Sequence, residues 1–148
     1  MDSGGSGLCE DRDKGVKIMN YDILIEKAQE AMKNAYVKYS NFKVGAALLT
    51  KSGKIYTGCN IENSSYGATI CAERVAFTKA ISEGEREFEA IAVASNLKGF
   101  TYPCGICRQF MSEWGLDIKL LTKSEGTTRV HTIGELLPEA FVEFEADK

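Results

Sequence analysis

The sequence predicts an α/β fold: a three-layer α/β/α sandwich in which helices cover both faces of a mixed five-stranded sheet. Three observations lead to this prediction. Strand-like and helix-like segments alternate along the chain. The first two strands are joined by the tight turn 51–54, so they form an antiparallel hairpin. The stretch 88–122 runs strand, helix, strand, and such a crossover favours a parallel pair.

Composition and charge set the domain organisation. The chain has 148 residues, which suits one domain with a substantial core. We expect a flexible, Gly- and Ser-rich N-terminal tail at 1–16 and a single catalytic domain at 17–148. The formal net charge of -3 argues against a dedicated polynucleotide binder. No apolar run suits a membrane span or a secretory signal, so we expect a cytoplasmic protein without a membrane partner.

The first half of the chain predicts one helix and the hairpin. Asn20 is a plausible N-cap, because its side chain can accept a bond from a free backbone N–H group. The segments 42–50 and 55–62 have the composition of the two hairpin strands. Apolar residues with helical spacing follow Asn20 and form one stripe: Leu24, Ala28, Ala31, Met32 and Ala35.

The second half predicts the remaining layers. The apolar spacing of Ala72, Val75, Ala76 and Ala80 indicates a helix, and Gly84 suits its C-terminal end. The elements expected in order are a helix at 71–84, a strand at 88–96, a loop at 97–103, a helix at 104–114, strands at 117–122 and 127–133, and a short helix or turn at 134–141.

Three cysteines lie where predicted helices begin. Cys71 precedes or starts one helix, and Cys104 and Cys107 lie in the first turn of another. Helix N-termini stabilise anions, so these thiols should ionise readily and bind metal. A strand–helix–strand arrangement would bring the two helix starts together. The CxxC pair alone also fits a disulfide, a redox pair, or a structural zinc knot with Cys59 as fourth ligand.

Three thiolates with an open fourth position are typical of a catalytic zinc site. Glu73 lies two residues from Cys71, where its carboxylate could reach water on the metal and move its proton. Three thiolates leave the site with excess negative charge, which Arg74 or Arg108 could offset. We interpret His131, the only histidine, as a surface or edge residue and not as a ligand.

Several motifs in order resemble one known family. They are FKVGAALLT (42–50), GCNIEN (58–63), Tyr66, ICAER (70–74), PCGICRQ (103–109) and ELLPEAF (135–141). Together they resemble the small, homotetrameric, zinc-dependent cytidine deaminases, over residues from about 20 to 141. The resemblance implies hydrolysis of cytidine and 2′-deoxycytidine to uridine and 2′-deoxyuridine, with release of ammonia, in pyrimidine salvage.

The resemblance also implies a role for each matching residue. One Zn²⁺ per chain would be held by Cys71, Cys104 and Cys107. Hydroxide on that zinc would attack C4 of the pyrimidine, and Glu73 would be the proton shuttle. The implied substrate contacts are the backbone N–H of Ala72 to the ring, Asn60 and Glu62 to the ribose, Phe42 along the base, and Tyr66 and Phe141 from neighbouring subunits.

Two features of these residues agree with such contacts. Residues two apart in a strand point to the same side, so Asn60 and Glu62 should project together. Their amide and carboxylate suit sugar hydroxyls.

Three alternatives to a cytidine deaminase remain open at this point. They are a related deaminase acting on a modified pyrimidine nucleoside such as blasticidin S, an editing deaminase acting on RNA or DNA, and a structural zinc or redox module.

Overall fold

The computed structural model describes the backbone of residues 13–143 and the side chains of residues 21–143. Four helices, five strands and a short 3₁₀ turn make up this region. In chain order they are α1 (Asp13–Met32), β1 (Val44–Thr50), β2 (Ile55–Cys59), the 3₁₀ turn (Tyr66–Ala68), α2 (Ala72–Ser82), β3 (Phe88–Ser95), α3 (Gly105–Ser112), β4 (Lys119–Ser124), β5 (Thr127–Thr132) and α4 (Ile133–Leu136).

The five strands form one mixed sheet in the order β2-β1-β3-β4-β5. Strand β1 pairs antiparallel with both β2 and β3. Strands β3 and β4 are parallel, and β5 returns antiparallel to β4. The structure therefore confirms the predicted hairpin and the predicted parallel pair around α3.

Helices pack on both faces of the sheet, which confirms the three predicted layers. Alternate residues of a strand point to opposite faces, and each face here is apolar. The face under α1 contributes Ala47, Leu49, Ala90, Ala92 and Leu121 to one core cluster. The face under α2 and α3 contributes Ala46, Leu48, Ile91, Val93 and Leu120 to the other. Both site helices thus lie in one layer.

The predicted start of the first helix is wrong. Helix α1 begins at Asp13, ahead of the N-cap expected at Asn20. Residues 13–19 hold no proline, and their single glycine, Gly15, costs a helix only about 1 kcal/mol. Residues 13–16 of the expected tail are therefore helical, while residues 1–12 lie outside the described part of the chain.

The predicted apolar stripe of α1 is largely confirmed. Leu24 and Ala28 are fully buried and Ala31 is 9% exposed, in the layer beneath the sheet. The helix ends at Met32, so Ala35 follows it and does not extend the stripe.

Two further boundaries differ from the prediction. Strand β2 ends at Cys59, so Asn60 and Glu62 lie beyond it. Helix α4 spans only four residues and ends before Pro138, because a proline disfavours helical backbone at the residue before it. Residues 137–143 therefore continue from α4 without helix or strand.

Gly58 sets the distance between β2 and α2. A methyl group at this position would lie 2.5 Å from the carbonyl oxygen of Ala72 and 2.6 Å from the backbone nitrogen of Ala76. These neighbours are backbone atoms of α2, which cannot move aside as the end of a flexible side chain could. Since Ala72 opens α2, this close approach also positions the residues at the start of that helix.

Gly58→Ala is expected to lower the free energy of unfolding by about 3 kcal/mol, because the added methyl group overpacks the strand–helix contact. Urea denaturation would measure the change. Gly67→Ala is the matched control, since a methyl group there meets no atom within 4 Å. We expect that control to shift stability by less than about 0.5 kcal/mol. Equal shifts for the two variants would contradict this account of Gly58.

Candidate metal centre and active site

The starts of α2 and α3 converge on one point, as the strand–helix–strand arrangement predicted. Cys71 is the N-cap of α2 and Cys104 is the N-cap of α3, and neither thiol caps its helix by a hydrogen bond. Cys107 lies one turn into α3 and is fully buried. The three Sγ atoms lie within 4.8 Å of one another, the only such metal-binding cluster found among the described residues.

The spacing of the sulfurs fits zinc. Cys71 Sγ and Cys104 Sγ are 3.8 Å apart. Two thiolates bound to one zinc at about 2.3 Å in tetrahedral geometry are separated by about 3.8 Å. Cys104 and Cys107 are free thiols, so the CxxC pair forms no disulfide. Cys59 is also free, and it is not part of the cluster, which argues against a four-thiolate knot.

The cluster favours a thiolate at Cys71. The pKa of Cys71 falls to about 5, chiefly because the thiol of Cys107 donates a hydrogen bond to it. Arg74 and Cys104 donate further bonds to the same sulfur. The same contact and burial raise the pKa of Cys107. A cation that replaced these protons would therefore bind a preformed set of sulfur donors.

The two candidate arginines have different partners. Arg74 Nη2 donates to Cys71 Sγ over 3.6 Å, so this guanidinium offsets part of the sulfur charge. Arg108 donates from Nε to the carbonyl of Pro103 and from Nη1 to that of Leu136, each over 2.8 Å. Arg108 therefore fixes the loop before Cys104 against the end of α4.

Glu73 is a buried carboxyl group in the first turn of α2. It is only 4% exposed. Burial, together with the charge of the neighbouring Cys71 thiolate, raises the pKa of Glu73 to about 7. A carboxyl group that titrates near neutral pH both accepts and donates protons in that range, as a proton shuttle must.

In the zinc-free protein, Glu73→Gln is expected to raise the free energy of unfolding by about 3 kcal/mol at pH 8. The carboxyl group ionises near pH 4.5 when the chain is unfolded and near pH 7 when it is folded. The folded state thus holds the extra proton, and its stability falls as pH rises through that window. Glutamine does not titrate and escapes the loss.

Urea denaturation with a chelator at pH 5 and pH 8 would test this expectation. The gain from glutamine should shrink to less than about 1 kcal/mol at pH 5, where most of the carboxyl group is protonated in the folded state. A gain of equal size at both pH values would contradict the raised pKa.

Asn60 is held by the backbone of the segment that precedes β1. Its Oδ1 accepts the N–H of Val44 over 3.0 Å, and its Nδ2 donates to the carbonyl of Phe42 over 2.8 Å. Asn60 is 8% exposed. One N–H and one oxygen lone pair of the amide are not used by these two bonds. Asn60 thus fixes the backbone on both sides of Lys43.

Glu62 borders a cleft but does not share a strand with Asn60. The two flank Ile61, which forms isolated bridges with Tyr36 and Ile70. The expectation that both project from one strand is therefore wrong, because β2 has ended. Glu62 is half-buried, and a cleft of about 380 Å³ opens beside it, lined by Tyr39, Ser40, Glu62, Asn63, Tyr66 and Thr69.

The remaining predicted contact residues occupy different surroundings. Phe42 is half-buried and packs against the core cluster of α2 and α3. Ala72 is the fully buried first residue of α2, where backbone N–H groups have no partner within the helix. Tyr66 is 76% exposed and contacts Tyr39 edge to face, and Phe141 is 65% exposed.

Two polar residues near the site were not singled out in the sequence. Asn96 donates to the carbonyl of Asn41 and accepts the N–H of Lys43, so it fixes the same segment as Asn60. Gln109 donates to the carbonyl of Phe141 over 2.7 Å. Gln109 is the second residue after the CxxC motif, but its partner lies far along the chain and no local pattern predicts the contact.

His131 lies on the edge strand β5, as interpreted from the sequence, and it is half-buried. Its ring contacts that of Tyr102 edge to face. It is not part of the cysteine cluster, so the ligand set contains sulfur alone.

An α/β/α sandwich with a buried carboxyl group beside three convergent thiols defines a zinc enzyme that activates water. Residues 19–121 match the family model described as the cytidine and deoxycytidylate deaminase zinc-binding region. The chain belongs to this family. The match covers β1 to β3, α2, α3 and all three cysteines of the cluster.

Similar proteins cover most of the chain. A probable cytidine deaminase of Dictyostelium discoideum is 52% identical over 118 residues, which are 79% of this chain and 80% of that protein. A cytidine deaminase of Sporosarcina psychrophila is 49% identical over 125 residues, which are 83% of this chain and 92% of that protein. The crystal structure of cytidine deaminase from Burkholderia pseudomallei superposes with a TM-score of 0.79 at 49% identity, covering 82% of this chain and 98% of that one.

The relative that acts on blasticidin S is less similar to this chain than these cytidine deaminases are. A blasticidin-S deaminase of Bacillus cereus is 32% identical over 123 residues, or 78% of this chain and 87% of that protein. Among the described residues, none of the helices has the length and apolar character needed to cross a membrane.

Proposed function

We propose that this protein hydrolyses cytidine and 2′-deoxycytidine to uridine and 2′-deoxyuridine, with release of ammonia. The observation that carries this proposal is the buried Glu73 carboxyl group beside the three convergent sulfurs. The relatives named cytidine deaminase, at about half identity, support the choice of substrate.

Cys71, Cys104 and Cys107 would hold the metal. Zinc bound by three protein ligands supplies an activated water molecule as nucleophile. Glu73 would take a proton from that water and deliver it to N3 of the pyrimidine as C4 is attacked. It would then pass the remaining proton to the amino group, which leaves as ammonia. Its raised pKa near 7 suits both transfers.

The substrate would be a free nucleoside. Phe42 would lie along the base, and a backbone N–H at Ala72 would contact the ring. Asn60 and Glu62 would contact the sugar, Asn60 through the amide positions that its backbone bonds do not use. A phosphate near Glu62 would be repelled, and the net charge of -3 offers no general attraction for a polynucleotide.

The active form would be a homotetramer in the cytoplasm, with active sites shared between subunits. Tyr66 and Phe141 would each contribute to a neighbouring site. The large exposed fractions of these two aromatic side chains, 76% and 65%, support a contact with another copy. The four free cysteines among the described residues suit a reducing compartment.

An ultraviolet assay of the zinc-loaded protein tests the proposal. We expect loss of the cytidine and 2′-deoxycytidine absorbance, with uridine products and ammonia in equal amounts. Blasticidin S, 2′-deoxycytidine monophosphate and a short cytosine-containing oligonucleotide test the alternative substrates in parallel. Turnover of blasticidin S with none of cytidine would overturn the cytidine assignment while keeping the chemistry.

A further inference from the structure

The Glu62 carboxylate is held by two consecutive residues of a neighbouring loop. Its Oε1 accepts the backbone N–H of Tyr39 over 2.9 Å and that of Ser40 over 3.1 Å. Its Oε2 accepts a hydrogen bond from the Ser40 hydroxyl. Glu62 is therefore oriented before any ligand arrives.

These bonds leave little of the carboxylate for a substrate. A carboxylate offers about four acceptor positions, two on each oxygen. The two backbone N–H groups use Oε1, and the Ser40 hydroxyl uses one position on Oε2. The position that is left lies on the same oxygen that Ser40 holds, so the Ser40 hydroxyl determines where that position points.

Ser40 also connects this carboxylate to the segment that carries Phe42. Its Oγ accepts the backbone N–H of Phe42 over 3.0 Å, and the carbonyl of Phe42 accepts from Asn60. Asn41, between them, has a φ of 63°, a left-handed conformation that asparagine tolerates better than most residues. The hydroxyl thus lies at a fixed turn that joins the sugar-side and base-side residues.

The cleft beside Glu62 has room for a pentose. Its volume of about 380 Å³ is within the range of small-molecule sites, and both Ser40 and Glu62 line it. Ser40 itself is exposed, so its hydroxyl is not explained by burial in the core.

We propose that Ser40 is a positioning residue, whose hydroxyl orients Glu62 so that the carboxylate accepts one sugar hydroxyl of the nucleoside. The inference rests on the proposed function. It goes further in naming Ser40 as the residue that aligns the sugar contact.

Steady-state kinetics of Ser40→Ala with three substrates test this role. The substrates are cytidine, 2′-deoxycytidine and 3′-deoxycytidine. We expect KM to rise about tenfold for cytidine, with kcat changed less than twofold, because a charge-assisted hydrogen bond loses its alignment. We expect the same tenfold rise in KM for the deoxynucleoside that keeps the hydroxyl bonded to Glu62. For the deoxynucleoside that lacks this hydroxyl, KM should rise less than twofold.

Three further variants make the result specific. Ser40→Thr keeps a hydroxyl and should restore KM to within about threefold of the parent. Ser82→Ala removes a hydroxyl that bonds the carbonyl of Lys79 near the end of α2, and should change neither constant. Adding Ser40→Ala to Glu62→Gln should raise KM by less than twofold, because both changes act on the same contact.

The outcomes separate the two claims. Equal rises in KM for all three nucleosides, no rise for any, or a failure of threonine to restore KM would overturn the role of Ser40. A parent protein that deaminates none of the three nucleosides would overturn the proposed function, and this inference with it.

Discussion

Glu73→Gln is expected to lower kcat for cytidine by about 10⁴-fold while the protein keeps about one zinc per chain. Glutamine preserves the shape of the side chain but cannot take up and release a proton in this range. The three cysteines that would hold the zinc are unchanged in this variant, so the metal should stay bound. Metal analysis and steady-state kinetics on the same preparation would measure both quantities.

Glu83→Gln is the matched control for this change. Glu83 is an exposed glutamate that caps the C-terminal end of α2, and Glu73 lies in the first turn of the same helix. We expect it to keep kcat within twofold of the parent. Retention of more than a tenth of the parental kcat by zinc-loaded Glu73→Gln would contradict the assignment of Glu73 as proton shuttle.

Cys107→Ala is expected to abolish both zinc binding and turnover. The variant leaves two sulfurs, which hold zinc far more weakly than three, and deamination should fall below detection. Because metal binding contributes to folding, the midpoint of thermal unfolding should also fall by about 10 °C, the shift that roughly 4 kcal/mol produces in a chain of this size.

Cys59→Ser separates the three-ligand site from a four-thiolate knot. Cys59 is half-buried and outside the cluster, so the variant should keep its zinc, its fold and its turnover. Loss of zinc from Cys59→Ser to the same extent as from Cys107→Ala would mean that a fourth sulfur binds the metal, and would favour a structural role for the site.

The elements that carry the site could be predicted because their signals are local. Cys71 and Cys104 lie at the first positions of the predicted helices 71–84 and 104–114, and both prove to be N-caps. The parallel pair β3–β4 follows from one strand–helix–strand unit, so the convergence of the two helix starts could also be predicted from the sequence.

The parts that could not be predicted depend on contacts between distant segments. The choice between Arg74 and Arg108 is settled by which one reaches Cys71, and local sequence does not encode that distance. The expectation that Asn60 and Glu62 lie in one strand is wrong because β2 ends at Cys59. A periodic pattern gives the type of an element more reliably than its last residue.

The most direct test of the central claim is zinc titration into the metal-free protein, with cytidine deamination followed at each addition. A three-thiolate site with Glu73 as shuttle predicts that the rate rises in proportion to bound zinc and stops rising at about one zinc per chain. Ammonia and uridine should form in equal amounts throughout. A rate that is unchanged by removing and restoring zinc, or a zinc-saturated protein that releases no ammonia from cytidine, would contradict the account.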